Sequence, residues 1–153
     1  MKKYLYLLSI PILLHLAVSL AAARDVFDYY EKVIWINQHK EMGAAYQNGV
    51  KLFEFPVITG DDETTTNPGI YPVKLKDPYY YSKKFDTPMP YSIFFDLKER
   101  KAIHGGEVPP PAQKMMWATH GCVHVEEPYI EQLFNWVQVG KTVVVIEGWR
   151  DKD

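Results

Sequence analysis

The sequence contains one cysteine, Cys122, among its 153 residues. An intrachain disulfide is therefore impossible, and the fold must be stabilised by a hydrophobic core, for which the chain is long enough. The sequence also lacks internal repeats, low-complexity tracts and any linker long enough to separate two domains. These absences exclude a disulfide scaffold and a repeat architecture, and they indicate one domain of ordinary size.

An excess of basic residues is also absent. The chain has 17 Lys and Arg against 19 Asp and Glu, which gives a formal net charge of −2. Without residues 1–23 the formal charge becomes −4, because that segment contains two lysines and no acidic residue. A surface that binds phosphates requires a basic excess, so the composition argues against nucleic acid as a partner.

Long apolar runs are missing except at the N-terminus. Two lysines precede an almost wholly apolar stretch from Tyr4 to Leu20, and three alanines follow as a small-residue cleavage site. This layout predicts a signal peptide over residues 1–23 and a working domain over residues 24–153, located in the periplasm or elsewhere in the cell envelope. The alternative is an uncleaved membrane anchor, because the run is near the minimum length that spans a bilayer.

The remaining residues predict a mainly β domain. Short β-branched and aromatic runs bounded by turn residues are typical of strands, and they occur at residues 33–37, 42–46, 50–59, 70–75, 91–97, 102–104 and 142–146. Asn48-Gly49 lies between two of these runs and is a strong hairpin signal. One helix is predicted to begin near Pro128 and to end at Gly140, because apolar residues from Ile130 to Val137 repeat at helical spacing.

Residues 76–90 are rich in proline, tyrosine and lysine but show no period. We expect a long irregular loop there, and loops of this length in compact domains are often lids or binding loops. The segment includes Tyr79-Tyr80-Tyr81. These three side chains either line a groove for an extended ligand or form a surface cluster.

Residues that carry chemistry concentrate around the single cysteine. His120 and His124 flank Cys122, Gly121 directly precedes it, and His104-Gly105-Gly106 lies upstream. A leftover cysteine in an exported protein is a candidate reactive thiol. We interpret Cys122 as a nucleophile and His104 as its base, because His104 lies on a separate segment and can approach across strands. Gly121 indicates an irregular strand, which frees N–H groups for an oxyanion hole.

Two other interpretations of these residues stay open at this point. Most free cysteines behave as small buried hydrophobes, and a single histidine is commonly a satisfied polar group in a half-buried site. One cysteine with three histidines could also fill a tetrahedral zinc site, although the alternating order around Cys122 matches none of the usual zinc spacings. The spacing therefore disfavours a zinc site.

With these residues placed, the chain resembles the L,D-transpeptidase catalytic domain family, also called the YkuD fold. The family signature is a histidine, fourteen to seventeen residues, and then Ser or Thr, His, Gly, Cys, an aliphatic residue and usually Arg or Asn. Here fourteen residues separate His104 from Thr119-His120-Gly121-Cys122-Val123-His124. Gly60 with residues 66–69, and residues 87–95, resemble further family segments. The resemblance implies a β-sandwich-like catalytic fold with one packed C-terminal helix.

The resemblance also implies roles for individual residues. Cys122 matches the family nucleophile, His104 the histidine that activates it, and the Gly105 carbonyl the group that orients this imidazole. The N–H groups around His120, Gly121 and Cys122 match the oxyanion hole. Three further positions match the substrate-binding region: the hydroxyl of Thr119, the aromatic ring of Tyr91, and His124, where the family usually has Arg or Asn.

The implied activity is that of an exported peptidoglycan L,D-transpeptidase that acts on stem peptides. The Cys122 thiolate attacks the carbonyl of the L-centre of the third stem residue, a diamino acid; D-alanine leaves, and an amine from a second stem takes the acyl group. No cofactor is implied, and we expect a monomer that meets the membrane only if the signal segment stays uncleaved. The alternatives are an L,D-carboxypeptidase or another peptidoglycan hydrolase on the same fold, or a non-catalytic wall-binding or zinc-binding domain.

Overall fold

A computed structural model of the protein describes residues 26–61, 64–109 and 119–148. The predicted signal peptide, residues 1–23, lies outside these ranges and stays a prediction. Within the described ranges, no helix is both long and apolar enough to cross a membrane. A helical segment at residues 26–29 leads into the strands.

Nine strands in the described residues form two sheets. They are β1 (Lys32–Asn37), β2 (Met42–Gln47), β3 (Val50–Pro56), β4 (Gly69–Pro72), β5 (Leu75–Ser82), β6 (Thr87–Asp96), β7 (Lys101–Gly105), β8 (Val123–Val125) and β9 (Thr142–Glu147). The first sheet has the strand order β3-β2-β1-β9-β4 and the second has the order β5-β6-β7-β8. The helix α1 (Tyr129–Trp136) packs beside them. The predicted mainly β, sandwich-like fold with one packed C-terminal helix is confirmed.

One hydrophobic core joins the two sheets and α1. Ile34 and Phe55 from the first sheet share it with Ile103 and Val123 from the second and with Leu133 of α1. Each such buried side chain stabilises the fold by roughly 1.5–3 kcal/mol relative to an exposed one. Because side chains alternate along a strand, the neighbours of Ile103 and Val123 face away from this core.

The central strands of the first sheet are apolar on both faces. β1 and β9 run parallel and pair in register from Lys32 with Thr142 to Asn37 with Glu147. Ile34 and Val144 face the main core, whereas Val33 and Val143 contribute to a second cluster on the other face. Burial on both faces explains why β9 is an unbroken apolar run rather than an alternating one.

The predicted hairpin between β2 and β3 is confirmed, but the strand prediction for residues 50–59 is wrong for its last three residues. Asn48 and Gly49 form the turn with φ angles of 50° and 75°. β3 then ends at Pro56, which has no N–H to donate to a ladder. The chain leaves the first sheet, and Ile58 exchanges two backbone hydrogen bonds with His124 at 3.1 and 2.9 Å.

The predicted strand over residues 70–75 is instead divided between the two sheets. β4 pairs with β9 in the first sheet, whereas β5 pairs with β6 in the second. The chain crosses between the sheets at residues 73–74. There the N–H of Val73 donates to Thr142 at 2.9 Å and the N–H of Lys74 donates to Phe94 at 2.8 Å.

The prediction of an irregular loop over residues 76–90 is wrong, because β5 and β6 form an antiparallel hairpin through this segment. Its prolines hide the strands from a sequence pattern. Pro78 is tolerated because β5 is an edge strand. Pro88 and Pro90 are tolerated because β7 pairs with β6 only over residues 93–96, so that part of β6 has one hydrogen-bonded neighbour.

The helix is shorter than predicted. α1 ends at Trp136, and Val137 is already extended with ψ of 139°. Two lysine side chains satisfy the carbonyls at this end: Lys32 donates to Trp136 at 2.9 Å and Lys76 donates to Val137 at 2.8 Å. Cations at a helix C-terminus also complement the helix dipole, so these contacts fix the end of α1 before Gly140.

Candidate active site

The predicted base lies on β7, and the predicted nucleophile directly precedes the neighbouring strand β8 of the second sheet. β7 and β8 are parallel, and His104 is paired in register with His124. Cys122 directly precedes β8 and packs in one cluster with Ala102 of β7. Since residues two apart share a face of a strand, His104 and Ala102 face the same side. Cys122 and His104 are therefore diagonal neighbours on the face turned away from the main core.

A tight turn carries the chain from Thr119 to Cys122. Gly121 has φ of +92°, which favours glycine. A Cβ at Gly121 would lie 2.9 Å from Lys101 Cε and 2.9 Å from the Thr65 carbonyl oxygen. The Thr119 hydroxyl donates to the Cys122 carbonyl and accepts from the Gly121 N–H at 3.2 Å. The irregularity that the sequence predicts at Gly121 is thus a defined turn that sets the direction of Cys122.

The threonine-rich loop before β4 holds this turn. The Thr64 hydroxyl donates to the Thr119 carbonyl at 2.6 Å. The Thr66 hydroxyl accepts from the Gly60 N–H at 2.9 Å and lies 3.2 Å from the Gly121 carbonyl oxygen. The family resemblance includes Gly60 and Thr66, but no sequence pattern singles out Thr64, because its partner is 55 residues away.

His104 is buried, with 5% of its surface exposed. Its Nδ1 lies 2.9 Å from the carbonyl oxygen of Gly105, which is the contact that the resemblance implies. Because a carbonyl only accepts, we assign the proton to Nδ1, and Nε2 keeps a free lone pair. Burial, with a further contribution from His124, lowers the pKa of His104 to about 4 against the opposing effect of Gly105. The imidazole is therefore neutral at pH 7 and able to accept a proton.

The Cys122 thiol is half-buried among apolar side chains, namely Met89, Phe94, Ala102 and Tyr80. Burial raises the pKa of Cys122, and the backbone of Ala102 and the ammonium of Lys101 act in the opposite direction. In the described part of the chain, no hydrogen bond joins the thiol to an imidazole. At pH 7 the pair therefore consists of a protonated thiol and a neutral base.

Lys101 is a buried cation that the sequence pattern does not single out. Its Nζ donates to the Thr65 carbonyl at 2.9 Å and forms an ion pair with Glu99 at 2.8 Å, while 11% of the side chain is exposed. The aliphatic part of the side chain lies over Gly121. Lys101 thus supports the turn and places a positive charge near Cys122.

The other two histidines of the motif occupy different surroundings. The His124 ring meets His104 edge to face, with ring centroids 4.5 Å apart. Burial lowers the pKa of His124, against an opposing effect of the Glu107 backbone, and His120 lowers it further. His120 is exposed and its ring lies 4.7 Å from that of Phe85. His124 is thus grouped with the predicted base, whereas His120 lies on the solvent side of Cys122.

Thr119 and Tyr91 are both predicted to contact substrate. In the structure, both side chains instead make contacts within the protein. The Thr119 hydroxyl is buried and makes two hydrogen bonds within the turn. The Tyr91 ring packs against Phe134 of α1, with centroids 5.6 Å apart, and contacts the main core. The structure therefore gives Thr119 a role in positioning Cys122 and does not bring Tyr91 together with the thiol.

The three backbone N–H groups predicted to form the oxyanion hole differ in whether they already have an acceptor. The Gly121 N–H is used by the Thr119 hydroxyl at 3.2 Å. The N–H groups of His120 and Cys122 find no acceptor within the described residues. These two groups flank the turn, so they can donate to a ligand oxygen near the thiol.

A cavity of about 430 Å³ opens onto Cys122. It is lined by aromatic, apolar and charged side chains: Tyr80, Ser82, Lys84, Phe85, Met89, Lys98, Glu99, Arg100, Lys101, His120 and Cys122. Neither His104 nor His124 lines it. The thiol therefore lies at the boundary between the cavity and the histidine pair. Tyr80, from the predicted groove-lining tyrosines, lines this cavity, whereas Tyr79 is 89% exposed.

The zinc interpretation finds no support in the side-chain geometry. In residues 26–61, 64–109 and 119–148, no group of three or more His, Cys, Asp or Glu side chains is arranged to hold a metal ion. His104 and His124 are neighbours, but their rings meet edge to face. The arrangement suits proton transfer between a thiol and an imidazole better than coordination.

Comparison with known proteins is consistent with this geometry. The sequence profile of the L,D-transpeptidase catalytic domain (YkuD) matches residues 31–146. Among curated proteins, none matches the chain. Solved structures of L,D-transpeptidases do match, and they share its fold at low sequence identity.

An L,D-transpeptidase (Yku) from Stackebrandtia nassauensis has a TM-score of 0.70 and 20% identity, over 78% of this chain and 57% of that one. A cysteine-to-serine mutant of the Enterococcus faecium L,D-transpeptidase has a TM-score of 0.67 and 18% identity, over 76% and 50%. L,D-transpeptidase 3 from Mycobacterium tuberculosis with a faropenem-derived adduct has a TM-score of 0.64 and 16% identity, over 77% and 60%. The chain thus spans about half to three fifths of the length of these proteins.

Proposed function

Because this chain belongs to the L,D-transpeptidase catalytic domain (YkuD) family, we propose that it is a peptidoglycan L,D-transpeptidase in which the Cys122 thiol is the nucleophile. The observation that carries the proposal is the fixed, neutral imidazole of His104, which shares a sheet face with the half-buried thiol. A thiol needs a base to become a good nucleophile at neutral pH. His104 is that base.

The two pKa directions define how the thiol is activated. Burial raises the pKa of Cys122 and lowers that of His104 to about 4, so the ion pair is not the resting state at pH 7. The proton moves to His104 Nε2 as the thiol attacks a carbonyl, and the contact tightens when substrate is bound. The positive charge of Lys101 assists, because it favours the thiolate form of Cys122.

The proposed reaction has two acyl-transfer steps. A bond forms between Cys122 Sγ and the carbonyl carbon of the diamino acid, the amide C–N bond breaks, and the proton held by His104 passes to the leaving D-alanine amine. A thioester remains. An amine of a second stem peptide then attacks the thioester, His104 takes its proton, and the sulfur leaves and recovers a proton from His104. The N–H groups of His120 and Cys122 stabilise the oxyanion in both steps.

The structural relatives add support for a reactive thiol. One is a cysteine-to-serine mutant, and others carry a faropenem-derived adduct, imipenem or an avibactam carbamoyl group. Those are properties of those proteins. For this chain we propose the same class of reaction, the opening of a strained lactam by Cys122.

We further propose that the domain is exported, since residues 1–23 have the layout of a signal peptide. In the periplasm or elsewhere in the envelope it meets peptidoglycan stem peptides, its proposed substrates, and acts as a monomer. With water as acceptor, the same steps would make it an L,D-carboxypeptidase or another hydrolase. The buried His104 and half-buried Cys122 serve either acceptor equally.

Incubation of the purified protein with disaccharide tetrapeptides, followed by mass spectrometry of the products, tests the proposal. A cross-linked dimer that has lost one D-alanine is the expected product, and it is absent with Cys122→Ala. Tripeptide without dimer would indicate the carboxypeptidase. Unchanged tetrapeptide, with a folded protein and intact thiol, would contradict both.

A further inference from the structure

The cavity beside Cys122 is strongly basic in a chain whose net charge is negative. Among the described residues that line it, four are cationic, namely Lys84, Lys98, Arg100 and Lys101, and Glu99 alone is acidic. Glu99 is paired with Lys101 at 2.8 Å. Within the described residues, Lys98 and Arg100 have no acidic partner. Beyond the Lys101–Glu99 pair, the described lining of the cavity therefore keeps three positive charges, those of Lys84, Lys98 and Arg100.

The turn that carries these two cations is held in a defined conformation. The Asp96 carboxylate accepts from the N–H groups of Lys98 and Glu99 at 2.9 and 3.1 Å. Arg100 has φ of 57°, an unfavourable region for a side chain other than glycine. Asp96 is directed to the backbone of the turn, so it fixes the turn and leaves the two side chains at the cavity rim.

Along β7, the cavity wall and the proposed base lie on either side of Ala102, the residue that packs with Cys122. β7 begins with Lys101 at the cavity wall, Ala102 lies beside Cys122, and His104 follows two residues later, about 7 Å further along the strand. A substrate carbonyl above the thiol therefore has the cations on one side and the imidazole on the other.

This order fixes the direction of the donor peptide, if the proposed function holds. His104 takes the thiol proton and gives it to the leaving nitrogen, so the leaving amino acid must lie on the His104 side. The acyl half of the donor, which stays bonded to Cys122 in the thioester, then extends into the basic cavity.

We propose that this cavity is a carboxylate subsite for the acyl half of the donor, with Lys98 and Arg100 as its contacts. Arg100 can engage a carboxylate through two N–H groups, and Lys98 supplies a second point charge. Lys101, already held by Glu99 and Thr65, adds its field from the wall of the cavity. A donor with a free carboxylate on its acyl half is therefore preferred to its amidated counterpart.

Alkylation of Cys122 tests the subsite without any acyl transfer. Iodoacetate carries a carboxylate and iodoacetamide is its neutral counterpart, and both react with the same thiolate. The ratio of their rates at Cys122 therefore cancels any change in the pKa of the thiol and reports the preference for an anion. The rates are measured by intact-protein mass spectrometry at low ionic strength.

The double variant Lys98→Gln/Arg100→Gln is expected to lower this ratio about three- to tenfold, and 0.5 M salt is expected to reduce the difference. The control Lys51→Gln/Lys141→Gln removes two charges from exposed positions of the first sheet and its turns, outside the cavity. The control is expected to keep the wild-type ratio. An unchanged rate ratio in Lys98→Gln/Arg100→Gln, or an equal fall in the control, overturns the proposal of a carboxylate subsite.

Donor peptides with a free or an amidated diamino-acid carboxylate then test the assignment to the acyl half. The wild type is expected to show a lower KM for the free carboxylate, and Lys98→Gln/Arg100→Gln to abolish that preference. Equal KM values in the wild type overturn the assignment to the acyl half. If neither donor reacts, the proposed function fails, whereas the alkylation ratio still decides whether the cavity binds carboxylates.

Discussion

The central pair of the first sheet is regular, whereas the part of the second sheet that carries the candidate site is not. In the first sheet, β1 and β9 pair without a break over six residues. In the second sheet, the pairing of β6 with β7 shifts between Phe94 and Asp96, and Tyr91 adopts φ of 55°. The second sheet also ends at β8, a strand of three residues that follows the Gly121 turn.

The difference shows how scaffold and chemistry are separated in this fold. Regular pairing uses backbone groups in the ladder, whereas the turn before β8 leaves the N–H groups of His120 and Cys122 without a partner in the described residues. Changes in the central strands of the first sheet should therefore affect stability first, and changes around β7 and β8 should affect chemistry first.

The sharpest contrast between the sheets comes from two truncations. Cys122→Ala is expected to abolish turnover and to change the free energy of unfolding by about 1 kcal/mol or less, because it removes one sulfur atom. Ile34→Ala in β1 is expected to cost about 2–5 kcal/mol of stability. Muropeptide assays and urea denaturation of both variants measure the two effects. Equal activity of Cys122→Ala and wild type would break the comparison.

Replacement of the base is expected to have the next largest effect. His104→Ala should lower kcat by about 10²–10⁴-fold, the usual contribution of a general base. His39→Ala, in the turn between β1 and β2, should leave kcat unchanged and is the control. Steady-state kinetics with a purified tetrapeptide donor provide the measurement. A far greater loss in His120→Ala than in His104→Ala would reverse the assignment of the base.

Acid is expected to destabilise the fold through the second sheet. The pKa of His104 is about 4 in the folded protein and near 6.5 when the chain is unfolded. Between these values the unfolded chain binds a proton that the folded chain does not, so stability falls as the pH drops from 6.5 through 4. The difference between the two pKa values of His104 corresponds to roughly 3 kcal/mol in the free energy of unfolding. Most of this stability is lost by pH 4.5.

Urea denaturation at pH 7 and pH 4.5 measures this effect. His104→Gln cannot titrate, so its loss of stability on acidification should be smaller than that of the wild type. Carboxylates titrate in both proteins, and the comparison removes their contribution. The same loss in both proteins would show that the protonation of His104 is not linked to folding.

The smallest effect is expected at His124, the residue that departs most from the family motif. Burial lowers its pKa below 6.5, so His124 is neutral between pH 7 and 8. KM should then change by less than about twofold across that range, with kcat measured separately. A KM that rises severalfold with pH in the wild type but not in His124→Arg would instead identify His124 as a carboxylate contact.

The contrast between the two sheets also explains which strands could be predicted from the sequence. β1 and β9 were predictable to within one residue at each end, because burial on both faces leaves unbroken β-branched runs. The hairpin of β5 and β6 was not, because its prolines are tolerated only by an edge strand and by a segment with one neighbour. That tolerance depends on the sheet order, which no local pattern contains.

The residues of the candidate site also differ in whether the sequence could indicate them. Cys122, His104 and the contact of His104 with Gly105 come from a motif with fixed spacing, so sequence alone could indicate them. Lys101 and Thr64 could not be found in this way. Their roles depend on the chain leaving the first sheet after Pro56 and passing beside the Gly121 turn, a contact between segments distant in sequence.

Intact-protein mass spectrometry after incubation with a carbapenem tests the central claim most directly. If His104 activates the Cys122 thiol, the wild type should gain the mass of one carbapenem, and peptide mapping should place it on Cys122. His104→Ala should acylate more slowly, and Cys122→Ala should gain no mass. An adduct on another residue, or no adduct on a folded protein that turns over peptidoglycan, would contradict the account.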